Sequence, residues 1–111
     1  MSHCLFCKIA AGEIPSKKVY EDERMLAFED INPQAPTHIL LIPKKHFIDM
    51  HDAANDPALL GEILVRTAAI ARDRGIRDYR LVANTGGNAG QAVFHLHFHI
   101  LGGRPMGWPP G

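Results

Sequence analysis

Apolar and polar positions change period along this chain, and each change marks an element. Between Pro57 and Arg74 the apolar residues recur at helical spacing. Leu59, Leu60, Ile63, Leu64, Thr67, Ala68 and Ala71 form one stripe, with Ile70 off it. Asn55 or Asp56 can cap this helix, Pro57 suits its first position, and Gly75 ends it. Glu62 and Arg66 sit four apart on the solvated side. Elsewhere the pattern is that of strands. "KVYE" and "MLAFED" flank the charged turn "DER", and "THILLIPK" is a nearly continuous apolar run ended by Pro43. "DYRLVAN" and "AVFHLHFHIL" supply two more strands, separated by the loop "TGGNAG". "CLFCKIAAG" predicts a short helix stopped by Gly12 and Pro15. The sum is α+β: a mainly antiparallel five-stranded sheet with one long and one short helix.

The chain has 111 residues, 46% hydrophobic and 22% charged, which suits a single domain spanning residues 1–111. Lys and Arg balance Asp and Glu, so there is no electrostatic footprint for nucleic acid or an acidic membrane. No apolar run approaches the ~20 residues that cross a bilayer. The N-terminus lacks the basic and apolar regions of a signal peptide, and two cysteines are too few for a disulfide framework. The expected compartment is the cytoplasm.

Candidate chemistry is concentrated in the last strand. On a strand, His95, His97 and His99 share one face while Phe94, Leu96, Phe98 and Ile100 cover the core. A solvated face normally mixes Thr, Lys and Glu, so a row of histidines points to chemistry. Two imidazoles at i and i+2 can share a metal, but the outer pair of a flat strand is roughly 13 Å apart. A neutral imidazole is also a competent nucleophile at phosphorus. The preceding loop, with Asn84, Gly86, Gly87, Asn88, Gly90 and Gln91, can present backbone N–H groups to an anion. It leads into a strand, so it is neither a dinucleotide fingerprint nor a P-loop.

"HLHFH" resembles the signature of the histidine triad (HIT) nucleotide hydrolases and transferases. "CLFCKIAAGEIP", "LAFEDINPQAPTHILLIPKKH" and "GQAVFHLHFHILGGRPMGWPPG" are similar to the HINT-like branch, the purine nucleoside phosphoramidases, from about Cys4 to Gly111. The resemblance implies a HIT-like fold in which two protomers form one continuous sheet. It implies hydrolysis of the P–N bond of a purine nucleoside 5′-phosphoramidate through a nucleotidyl-histidine intermediate. His97 is then the nucleophile, its ring fixed by a backbone carbonyl, that of His95. His99 donates to the phosphate oxygens, and His38 supports the nucleophile and a proton relay. Asp30 receives the ribose hydroxyls. Leu5, Phe6, Ile9, Phe28 and Ile31 form an apolar slot for the base, while Asn84, Gly90, Gln91 and the backbone at Val93 hold the phosphate.

The same resemblance makes the protein a homodimer paired through the long helix. The tail, residues 105–111, then carries Trp108 to the partner's active site, where it sets leaving-group preference. Cys4 and Cys7 have metal-ligand spacing, and His46 and His95 could complete a Cys₂His₂ set for a structural zinc, as in related uridylyltransferases. The chemistry itself requires no cofactor. One departure stands out: the branch has serine in "GQSV", and this chain has Ala92. The backbone donors remain, so reduced rate or altered leaving-group preference is expected. Two other readings are open. One is a metal-dependent hydrolase with a His-x-His site, and the other a nucleotide-binding scaffold with incidental catalysis.

Overall fold

The computed structural model describes residues 3–111. Five antiparallel strands stand in the order β1-β2-β3-β5-β4: β1 (Lys18–Glu21), β2 (Met25–Glu29), β3 (Thr37–Pro43), β4 (Tyr79–Val82) and β5 (Phe98–Gly102). Among the described residues three α-helices accompany them: α1 (Leu5–Ala10), α2 (Met50–Ala53) and α3 (Pro57–Asp73). This is the expected α+β sheet, with one helix more than the periodicity indicated. The extra helix, α2, is a single turn capped by Asp49, which accepts from the Asp52 N–H.

β3 lies at the centre, and its continuous apolar run follows from burial on both faces. Ile39 and Leu41 join Met25, Ala27, Leu96, Phe98 and Ile100 in the core under α3. Leu40 and Ile42 join Leu26, Phe28, Phe6 and Ile9 in a second cluster under α1. His38 shares the α1 side with Leu40 by strand alternation, and Leu40 is paired with His99. Both of these histidines therefore belong to the α1 face.

Asp56 is the residue that caps α3, accepting from the Leu59 N–H at 3.2 Å, with Pro57 directly behind it. The buried stripe differs from the expected one: it contains Ile70 and leaves out Leu64 and Ala68. At about 100° per residue Ile70 projects only about 20° from Leu59, whereas Leu64 and Ala68 project about 140° and 180° away. Glu62 and Arg66 do not pair with each other. The β1–β2 hairpin takes both, Arg24 bonding Glu62 and the Tyr20 ring lying 4.1 Å from the Arg66 guanidinium.

The last strand is also shorter than its alternation suggests. β5 starts at Phe98, so His95 and His97 precede it, and Phe94 is exposed rather than in the core. Pairing with β3 ends at Leu41 and Phe98. Two residues further along β3 the ladder meets Pro43, which has no N–H to donate. The Pro43 carbonyl is taken by the His95 ring, and the Leu96 N–H turns to the Phe47 carbonyl at 2.7 Å. None of the described helices is long and apolar enough to cross a membrane.

Candidate active site and metal cluster

Four imidazoles gather on the α1 face, and the partner of each ring fixes which nitrogen carries its proton. His97 Nδ1 lies 2.7 Å from the His95 carbonyl, so Nδ1–H donates and Nε2 keeps its lone pair. His38 Nδ1 accepts the Gln34 N–H at 3.0 Å, so its proton is on Nε2. That Nε2 lies 2.9 Å from His99 Nδ1 and 3.4 Å from Asp30 Oδ2. His99 thus accepts at Nδ1 and carries its own proton on Nε2, a buried donor with no partner among the described residues. The rings of His97 and His99 have centroids 5.0 Å apart. A nucleophilic lone pair and an unoccupied N–H donor stand side by side.

His38 was expected to support the nucleophile. Its hydrogen bond goes to His99 instead, because the β3–β5 register opposes His38 to Leu101 and Leu40 to His99. The two histidines are therefore diagonal neighbours.

Burial holds these rings neutral. It lowers His38 and His97 below the ordinary histidine value, against the raising effects of Asp30 on both and of the His95 carbonyl on His97. His99 falls to about 4, through burial first and then through His97 and His38. At neutral pH all three are uncharged. The His97 lone pair is available, and His99 donates without carrying a formal charge.

Around the histidines, Phe6, Ile9 and Phe28 belong to the α1-side cluster, against which Val93 packs. Phe6 presents an edge to Phe28 at 5.8 Å and to His97 at 5.0 Å. Leu5 and Ile31 are exposed and stand outside that cluster. Asp30 fixes its own loop by accepting the Asn32 N–H at 2.8 Å. Gly90 has φ +99, a left-handed backbone that favours glycine, and the Asn84 amide lies 3.5 Å from where a Cβ would stand, an ordinary contact. The Val93 N–H has no partner among the described residues.

Gln91 corrects the expected phosphate set. Its side chain is buried, Oε1 accepts the Gly86 N–H at 2.9 Å, and Nε2 donates to the carbonyls of Ile48 and Val93. The amide is fully occupied as a strut of the loop and has no donor left for a phosphate.

The cysteines form a second centre. Cys4 Sγ and Cys7 Sγ lie 3.4 and 3.5 Å from His95 Nδ1, and Cys7 Sγ is 3.2 Å from His46 Nδ1. All four donor atoms fall within 4.8 Å of one another. A tetrahedral zinc with bonds of ~2.0–2.3 Å sets its ligand atoms about 3.3–3.8 Å apart, so the cluster has the dimensions of such a site. The His95 ring suits it, since Nε2–H donates to the Pro43 carbonyl at 2.8 Å and leaves Nδ1 as a ligand atom. Desolvation, then the hydrogen bond and charge of Cys4, push the Cys7 thiol up to about 11. A bound cation would oppose that shift.

Asp30, His38 and His99 are a second group of metal-ligand types at close range. Here the tautomers disagree with a metal. Ligation through His38 Nε2 would move its proton to Nδ1, against the Gln34 N–H.

The tail leaves the domain body. Arg80 donates to the Gly107 carbonyl at 2.9 Å, and Arg104 donates to the carbonyls of Gln34 and Pro105. Trp108 beyond them is 84% exposed.

Several site elements carried no signal in the sequence. The Pro43 and Phe47 carbonyls and the Gln34 N–H are backbone groups, which any residue type supplies.

Residues 11–106 match the HIT domain family. The chain is 56% identical over 109 residues to an uncharacterised HIT-like protein of Synechocystis sp., covering 96% of each. It is 50% identical over 114 residues to a 14 kDa zinc-binding protein of Zea mays, covering 99% of this chain and 89% of that one. Among solved structures it resembles a HIT family hydrolase from Legionella pneumophila with a TM-score of 0.94. That pair is 54% identical, and the match covers 98% of this chain and all of the other.

Proposed function

This chain belongs to the HIT domain family, and from that premise we propose that it hydrolyses the P–N bond of purine nucleoside 5′-phosphoramidates, with His97 as nucleophile. The observation that carries the reading is the opposed ring state of two neighbours: His97 offers Nε2 as a lone pair, and His99 offers Nε2–H as a donor. A tetrahedral phosphate needs attack from one side and neutralisation of its oxygens from another.

In this mechanism His97 Nε2 bonds to the α-phosphorus as the P–N bond breaks. The departing nitrogen leaves as an amine with a proton taken from solvent. The His97 ring becomes cationic, and the His95 carbonyl at Nδ1–H stabilises it. His99 Nε2–H donates to the phosphate oxygens throughout. Water then adds to phosphorus, returns a proton to solvent and frees His97, releasing the nucleoside monophosphate.

Asp30 accepts from the ribose hydroxyls. Phe6, Ile9 and Phe28, with Leu5 and the exposed Ile31, offer apolar surface to the base. Asn84, Gly90 and the Val93 N–H face the phosphate. No step needs a cofactor.

Cys4, Cys7, His46 and His95 hold a structural zinc. The cluster's dimensions and the His95 tautomer support this, as does the zinc-binding relative in Zea mays. The zinc would supply a fixed tetrahedral junction between α1, the residues after β3 and the triad segment.

The protein works as a cytoplasmic homodimer without nucleic acid or membrane partners. Leu64, Val65 and Trp108 are exposed, and β4 is a sheet edge, features that a second copy of the chain would cover.

The test is turnover of a fluorogenic adenosine phosphoramidate. His97→Ala should abolish it while binding of adenosine 5′-monophosphate survives. Undiminished turnover in His97→Ala overturns the mechanism. Nucleotide affinity without turnover in the wild type would favour the scaffold reading.

A further inference from the structure

The thiol–imidazole cluster and the nucleotide site share parts rather than merely lying near each other. His95 faces both. Its Nδ1 approaches the two sulfurs, and its carbonyl, on the same residue, holds His97 Nδ1–H. The ring is fully buried, so it has little freedom to adjust one contact without the other.

Helix α1 provides a second connection. Cys4 and Cys7 bracket Phe6, whose edge meets His97 at 5.0 Å, His95 at 6.0 Å and Phe28 at 5.8 Å. The helix has six residues, too few for stability of its own. Its position depends on the packing of Phe6 and Ile9 and on what the two thiols hold. Residues 92–97 lie outside the sheet and are tied to the end of β3 and the residues after it, through Leu96 to Phe47 and His95 to Pro43. His46, the fourth member of the cluster, comes from that same stretch.

We propose that Cys4, Cys7 and His46 are positioning residues of the active site. Metal held by them and His95 sets both the ring state of His97 and the base-binding surface of α1. The proposal rests on the reading of this face as a purine nucleotide site. It goes beyond a structural zinc, because a purely structural ion would not respond to nucleotide. Coupling of this kind is reciprocal: if metal raises nucleotide affinity, nucleotide raises metal affinity by the same factor.

The experiment measures that factor on the full-length wild type. Cobalt(II) is titrated by its visible absorption, and zinc by competition with a chromophoric chelator, each with and without saturating adenosine 5′-monophosphate. The nucleotide should tighten metal binding about fivefold or more, the lower end of typical couplings. A ¹⁵N spectrum of the histidine rings supplies a second readout. In zinc-loaded protein His97 should show a protonated Nδ1 and a bare Nε2, and in zinc-free protein the two ring forms should mix. Cys7→Ser should mix them in the same way, whereas Phe6→Leu, with the metal retained, should weaken nucleotide binding and leave the His97 signals in place. If the nucleotide binds zinc-loaded protein and metal affinity does not change, the proposal is overturned. If the nucleotide does not bind at all, it is the functional reading that fails.

Discussion

Replacing His38 by alanine separates the role observed for this residue from the one its position in the sequence suggests. In the folded protein His38 donates to His99 Nδ1 at 2.9 Å and makes no hydrogen bond to His97. Alanine removes that donor and frees the His99 proton to occupy either nitrogen. Only the form with Nε2–H presents a donor to phosphate. A neutral hydrogen bond stabilises its preferred state by roughly 0.5–1.5 kcal/mol, so kcat should fall about two- to twelvefold. Removing the donor itself, in His99→Ala, should lower kcat by about 10²–10³, the usual effect of deleting one oxyanion contact. Removing the nucleophile, in His97→Ala, should leave no turnover. His38→Gln should recover most of the loss, because a glutamine amide can reach the place of His38 Nε2 and donate from there. The assay is steady-state hydrolysis of an adenosine phosphoramidate, with thermal melting recorded for each variant because His38 is buried. If His38→Ala is as damaging as His97→Ala in folded protein, His38 acts on the nucleophile and the tautomer chain is wrong. If it has no effect on kcat, His99 does not need a fixed ring form.

Acid should destabilise the fold in a defined window. The folded protein holds His38 below the ordinary value near 6.5 and His99 at about 4, so the unfolded chain binds more protons between those limits. Stability is then complete above about pH 6.5 and declines as pH falls towards 4, which urea titrations at pH 7 and pH 5 would show; equal stability at the two would refute it. Ala92→Ser should raise turnover about two- to twelvefold or shift leaving-group preference, as one added neutral hydrogen bond to the reacting group would. An unchanged rate across a series of amines would show that the missing hydroxyl is immaterial. Light scattering should report about twice the 12.3 kDa chain mass. Deleting residues 105–111 should change substrate preference more than melting temperature, and a monomer at micromolar concentration would refute the shared site.

What the sequence made legible was whatever depends on local pattern. Asp56, Pro57 and the helical period locate α3 within a residue at each end. The apolar run of β3 reads as a strand ended by Pro43, and it is one, covered on both faces: Ile39 and Leu41 lie under α3, Leu40 and Ile42 under α1. The cysteine spacing marked a metal-ligand pair, the family resemblance implied His46 and His95 as its partners, and the four donor atoms do converge. What failed depends on partners distant in the chain. The alternation from Phe94 onward looks like strand, but pairing is a property of two segments, and Pro43 on the other one ends it. Ile70 looked peripheral because Leu64 was assigned to the stripe, and only the sheet's position decides where the buried arc begins. Gln91 has the chemistry of an anion ligand, yet its amide serves the backbone of its own loop.

The roles of the histidines are accordingly assigned by β3 more than by the triad motif. Just before this strand, the Gln34 N–H fixes His38, and His38 fixes His99. At its other end the Pro43 carbonyl fixes His95, whose own carbonyl fixes His97. His46 follows three residues later. Both chains of hydrogen bonds are measured out from one seven-residue strand that pairs with β2 on one side and β5 on the other. A strand buried on both faces and paired along both edges cannot slip by two residues without emptying its core pockets, and a slip by one exchanges its faces. The same burial that makes β3 the most apolar stretch of the chain therefore holds in register the backbone groups at its two ends, against which His95 and His38, and through them His97 and His99, are set. An alternating HxHxH segment on an edge strand would have the same residues and no means of telling them apart.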